Sequence, residues 1–143
     1  MLALTTTAML ATAASAKAPQ IGVSPLSGGR SAKFTVSFRA PDAARTQGGL
    51  SRVYTVSAVD HVGAPGCVSQ ASTQVTHAAA HTRVRVTLSP KGSGGTAWCR
   101  GTFHGQVTEI SRPLCVSIRG DAMICPMFVV FDRRVGTFTF RVR

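Results

Sequence analysis

The sequence predicts an all-β protein, one domain built as an antiparallel sandwich of short strands. Three observations predict it. Apolar and polar residues alternate at period 2 in several separate stretches, turn-forming clusters lie between them, and no stretch carries an apolar stripe at helical spacing. The chain has 143 residues, 44% apolar and 15% charged, enough for one domain with a core of its own and too apolar for disorder.

The first element lies outside the domain. Met1 to Ala16, MLALTTTAMLATAASA, is apolar and rich in small residues, and ends in the small-x-small pattern Ala14-Ser15-Ala16. It reads as a secretory signal, residues 1–16, with cleavage after Ala16 and a domain spanning 17–143. No Lys or Arg precedes the apolar run, so either the natural start lies upstream of Met1 or the signal is a weak one. No other stretch approaches the roughly 20 apolar residues of a membrane span.

The strands follow in order. KFTVSFR places Phe34, Val36 and Phe38 on one face, with Thr35, Ser37 and Arg39 on the other. RVYTVSAV, from Arg52, repeats the alternation more loosely. SQASTQVTHAAAH, from Ser69, is the one place where Ala and Gln favour a helical turn, although no stripe supports it. TRVRVTL buries Val84, Val86 and Leu88 and exposes Arg83 and Arg85. GTFHGQVTEI, from Gly101, is a further strand, and MFVVF, Met127 to Phe131, reads as a strand covered on both faces. GTFTFRVR buries Phe138, Phe140 and Val142 and exposes Thr139, Arg141 and Arg143. The connections SPLSGGRS, APDAARTQGG, HVGAPG and SPKGSGG carry the turn residues.

The opening IGVSPLSGGRSAKFTVSFRAP resembles the first two strands of bacterial immunoglobulin-like modules, which run apolar-x-x-Pro-x-x-Gly and then an alternating strand. TAWCRGTFHGQVTEI and the closing VGTFTFRVR look similar to small secreted proteins of high-GC bacteria. The resemblance implies an Ig-like sandwich of about seven strands without a catalytic role. The chain departs from the antibody pattern in one respect: Trp98 directly precedes Cys99 instead of lying between two sheet-bridging cysteines.

The four cysteines, Cys67, Cys99, Cys115 and Cys125, include no Cys-x-x-Cys pair of the kind that metal sites use. In an exported chain they read as two disulfides. Three connectivities are open, and hairpin geometry favours Cys67–Cys99 with Cys115–Cys125. Folded about Gly120, CVSIRGDAMIC sets Cys115 opposite Cys125, Val116 opposite Ile124 and Ser117 opposite Met123. The apex is then Arg119-Gly120-Asp121, the tripeptide that adhesion ligands present on constrained loops. A turn made by Gly and Asp explains the same residues.

The net charge is +11, from sixteen basic residues against five acidic, and thirteen of the basic residues are Arg. Arg83 and Arg85 share one outward face, Arg141 and Arg143 another; as neighbours these strands would form a four-arginine patch. Anionic cell-envelope polymers or glycans are the partners such a patch fits. Nucleic acid fits poorly, because no aromatic side chains interleave the arginines for base stacking. A solvated face that blocks edge-to-edge pairing accounts for the same pattern.

Reactive groups are sparse. Cys99 with His104 is the sharpest enzymatic candidate, but a separation of five puts the two on opposite faces of a strand. His77 and His81 have the i, i+4 spacing of a metal pair without a third ligand nearby. KGSGGT holds the residues of a phosphate loop in the wrong order. The sequence calls for no cofactor or metal. The expectation is a secreted, non-enzymatic binding or structural module of the cell envelope. A thiol enzyme or redox protein using Cys99 and adhesion through Arg119-Gly120-Asp121 are its alternatives.

Overall fold

A computed structural model of the chain describes residues 21–41, 50–76, 78–113, 116–117, 123–124 and 131–143. The segment 1–16 lies outside them, as do Cys115, Cys125, Arg119, Gly120, Asp121 and His77. Strands form where the alternation runs. They are β1 (Gly22–Ser24), β2 (Ser27–Gly28), β3 (Phe34–Arg39), β4 (Leu50–Val59), β5 (Gln70–Thr76), β6 (Arg83–Leu88), β7 (Gly101–Pro113), β8 (Val116–Ser117), β9 (Met123–Ile124) and β10 (Phe131–Val142).

Eight of these make two sheets, a three-stranded one in the order β1-β3-β6 and a curled five-stranded one in the order β2-β10-β7-β4-β5. The architecture is all-β, as expected. The five-stranded sheet is mixed, however, because β2 runs parallel to β10. A wholly antiparallel sandwich was the expectation, and the short β2 departs from it by crossing over from β1 through Pro25 and Leu26. The remaining pair, β8 and β9, is antiparallel and sets Val116 opposite Ile124 and Ser117 opposite Met123.

The helical turn weighed for residues 69–81 does not form. Residues 70–76 are β5 instead, paired along β4 from Val59↔Gln70 to Val53↔Thr76. Helix propensity there is weak, and the β4 edge offers a full ladder of backbone partners, so tertiary pairing wins. The one helical element among the described residues is the 3-10 turn Lys91–Ser93, closed by Gly94 in the left-handed region (φ 84°). KGSGGT is therefore a strand connection.

The core lies between the sheets. Phe34, Val36 and Phe38 of β3 and Val84, Val86 and Leu88 of β6 face Tyr54, Val56, Phe103, Val107, Phe138 and Phe140 of the larger sheet. Phe34 stacks on Phe140 at 4.0 Å, and Phe140 on Phe103 at 4.9 Å. Phe138 lies opposite Gly105, where any side chain would strike its ring. Trp98, fully buried, meets Phe103 edge-on at 5.2 Å and donates its indole N–H to Ala32 O at 2.8 Å.

Cys67 and Cys99 form a disulfide, as expected. It ties the connection before β5 to the segment leading into β7. Backbone bonds reinforce the tie: Val68 N–H donates to Ala97 O and Cys99 N–H to Val68 O. Among the described residues, no helix is long and apolar enough to cross a membrane.

Candidate functional site

Side-chain alternation on β3 and β6 turns their even-numbered apolar residues inward and the odd-numbered polar ones outward. The antiparallel register then decides which outward residues meet. Arg39 lies directly opposite Arg83, and Ser37 opposite Arg85. All three arginines are exposed. Arg39 Nε donates to His81 O at 2.9 Å, which holds its guanidinium toward the edge of β6. Neither β1, β3 nor β6 contains an Asp or Glu, and the outward residues between the arginines are Ser and Thr. Like charges directly opposite on adjacent strands destabilise a sheet. The face therefore accepts a local electrostatic cost, and its own strands supply no carboxylate to offset it.

The four arginines singled out in the sequence do not come together. β6 belongs to the three-stranded sheet and β10 to the five-stranded one, so Arg83 and Arg85 point out of one side of the sandwich, Arg141 and Arg143 out of the other. Arg141 lies between Thr102 and Ser27. The neighbour that Arg83 gains is Arg39, which the spacing of the chain does not reveal.

A second charged group lies inside. On the inner face of the large sheet, Tyr54, Glu109 and Arg133 stand abreast across β4, β7 and β10. Glu109 is fully buried (0% exposed). Arg133 binds its Oε2 through Nε at 2.9 Å and Nη2 at 2.8 Å, and Arg52 Nε lies 3.2 Å from Oε1. Arg52 also donates through Nη1 to Pro41 O at 3.4 Å, linking this cluster to the end of β3. The geometry suits a structural ionic cluster, in which two guanidinium groups compensate one carboxylate taken out of water.

The Tyr54 hydroxyl, buried beside this cluster, has no hydrogen-bond partner among the described residues. Burial, and after it the negative charge of Glu109, raises its pKa above the ordinary 10.0, against the opposing pull of Arg52 and Arg133. Between pH about 10 and the higher folded value, the unfolded phenol releases a proton that the folded one keeps. Stability therefore falls as pH rises through that window. Tyr54 is the only tyrosine of the chain, so phenolate absorbance reports on it alone. We expect phenolate to appear only above pH about 10, together with unfolding; ionisation at or below that pH with the fold intact would contradict this placement.

The remaining candidates are quickly located. Cys99 is buried and bonded to Cys67, whereas His104 is exposed on the outer face of β7, so the two do not form a catalytic pair. His104 instead has its ring 6.3 Å from that of His61. His81 is exposed in the connection between β5 and β6, with a φ of 63°. Among the described residues no group of three or more His, Cys, Asp or Glu side chains could hold a metal ion.

The charged inner cluster was not singled out in the sequence, yet part of it has a signal there. Glu109 shares the parity of Phe103 and Val107, and Arg52 that of Tyr54, Val56 and Ala58. No family model matches the chain, and no curated protein or solved structure is significantly similar to it.

Proposed function

We propose that this is a secreted, non-enzymatic, Ig-like module of the cell envelope that contacts anionic polymers through the outer face of its three-stranded sheet. The observation that carries the reading is Arg39 set directly against Arg83, with Arg85 beside them, on strands without a carboxylate. A polyanion laid across this face would relieve the repulsion between the two guanidinium groups and bind both.

Strand order supports the Ig-like part of the proposal. Ig sandwiches place their first, second, fourth and fifth strands in one sheet and the third, sixth and seventh in the other, with extra strands beside the third in variable-type domains. β1, β3 and β6 fit the first, second and fifth places, and β4, β7 and β10 the third, sixth and seventh, with β5 beside β4; among the described residues no strand takes the fourth place. The disulfide departs from the family pattern, since it joins two connections and does not bridge the paired core strands. Export is supported by the signal-like segment 1–16 and by a disulfide that suits an oxidising compartment. The thiol-enzyme alternative is less well supported, because the Cys99 sulfur is engaged by Cys67. Adhesion through Arg119, Gly120 and Asp121 concerns residues outside those described.

Salt-gradient elution from immobilised heparin, used as a model polyanion, tests the proposal. Arg39→Ala, Arg83→Ala and Arg85→Ala together are expected to move elution to lower salt and to reduce the salt slope by roughly one per lost contact. Arg141→Ala with Arg143→Ala, on the opposite side, is expected to shift it much less. Equal loss per arginine removed from either side would mean that net charge alone drives retention, and would overturn the assignment.

A further inference from the structure

Two histidines far apart in the chain meet at the outer face of the five-stranded sheet. His104 projects from β7, which lies between β10 and β4. His61 follows two residues after Val59, the β4 residue directly opposite His104. The two rings are 6.3 Å apart, centroid to centroid, and inclined at 29°. Both residues are exposed, so a solute reaches them from solvent. The residues directly opposite His104, Val59 on β4 and Thr139 on β10, carry no charge that would repel a cation.

The backbone is held on both sides of the pair. β7 is paired along both of its edges, with β4 and with β10. Asp60 anchors the turn that carries His61: its N–H donates to Ser69 O at 2.8 Å, and its Oδ1 accepts the Val62 N–H at 3.2 Å. His61 is therefore bracketed by two tethered residues. An imidazole nitrogen binds Zn²⁺ at about 2.0–2.1 Å, which sets the centroids of two rings on one tetrahedral ion roughly 5–5.5 Å apart. Side-chain rotation, which exposed residues complete in picoseconds to nanoseconds, closes the 6.3 Å gap to that distance without moving the sheet.

Imidazoles suit Zn, Cu and Ni ions, whereas Mg and Ca select oxygen ligands. We propose that His61 and His104 together chelate one divalent transition-metal ion, with water in its remaining positions. With two protein ligands the ion stays open on the solvent side. The site is separate from the basic face, because Arg39, Arg83 and Arg85 belong to the three-stranded sheet.

Calorimetric titration of the whole protein with ZnCl₂ tests it. One equivalent of Zn²⁺ is expected to bind, and MgCl₂ is expected to give no heat. His61→Ala and His104→Ala, both exposed substitutions, are each expected to weaken Zn²⁺ binding at least about tenfold, the lower end of the cost of losing a ligand's supporting contact. The double variant is expected to bind little more weakly than either single one, because a chelate is lost with its first ligand. His81→Asn removes another exposed histidine, keeps a residue suited to a φ of 63°, and is expected to leave the affinity unchanged. Absence of any heat with Zn²⁺ would overturn the proposal, as would an unchanged affinity in either single alanine variant. So would losses that add in the double variant, or an equal loss in His81→Asn, since both mean that each histidine binds alone. The triple variant of Arg39, Arg83 and Arg85 is expected to keep Zn²⁺ binding, so this proposal and the polyanion reading fail separately.

Discussion

Glu109→Gln is expected to lower the unfolding free energy by about 3 kcal/mol, the cost of leaving buried cations without their counter-charge. The side chain is nearly isosteric, so packing changes little and the effect is electrostatic. Arg52 and Arg133 would remain on the inner face of the sheet with no carboxylate between them. The figure sits at the low end for a broken buried pair because the Arg133 side chain is 35% exposed and keeps part of its hydration. Urea denaturation followed by the fluorescence of Trp98, the single tryptophan, measures it. Replacing all three charged residues together, Arg52→Met, Glu109→Leu and Arg133→Met, is expected to be neutral or stabilising, since no charge is then left buried. A change below about 0.5 kcal/mol in Glu109→Gln, the range of ordinary surface substitutions, would refute the structural role of the cluster.

Trp98→Ala is expected to cost about 3–5 kcal/mol, as for other large aromatic truncations in a core. Trp98 joins the aromatic layer formed by Phe34, Phe103 and Phe140, and its backbone N–H donates to Arg30 O at 2.7 Å. Truncation removes the packing and strands the Ala32 carbonyl that the indole satisfies. Trp98→Phe retains much of the volume but not the N–H donor, and is expected to cost less than Trp98→Ala. Urea denaturation followed by far-ultraviolet circular dichroism compares the two variants. Equal stabilities for both would place the value of Trp98 in its hydrogen bond alone, contrary to the packing argument.

The inner ionic cluster shows why only part of a site can be read along a strand. Glu109 has the parity of Phe103 and Val107, so alternation alone assigns it to the core face. Arg133 gives the opposite impression: counted back from Phe138 and Phe140, its odd number places it outside. The register shift between Arg134 and Gly136 inserts an extra residue at Val135 and exchanges the two faces, bringing Arg133 opposite Glu109. The basic face follows the same logic. Arg39, Arg83 and Arg85 are each recognisable as outward residues, but the meeting of Arg39 with Arg83 depends on how β3 aligns with β6. The grouping of Arg83 with Arg141 fails because their strands enter different sheets.

The 270 Å³ pocket beside the Cys67–Cys99 disulfide, with Arg30, Asp60 and Arg100 in its wall, depends even more on assembly. Its residues come from three connections, and what makes Asp60 unusual is the absence of a donor near Oδ2, a property of the folded surroundings. Gly101 appears in the sequence as an ordinary strand-start glycine; only the approach of the carboxylate gives it a reason.

The sequence was sufficient for the all-β class and for the inward faces of β3, β6 and the end of β10, and it favoured the pairing of Cys67 with Cys99 that the structure shows. Each of these follows from local rules, the period of two along an extended chain and the small menu of cysteine pairings. Tertiary structure alone decided the parallel β2–β10 contact, the strand character of residues 70–76, and the partners of Arg39, Glu109 and Asp60. Those outcomes join residues far apart in the chain. They are selected by the one arrangement that buries the apolar faces of two sheets against each other, a collective condition that no local pattern encodes.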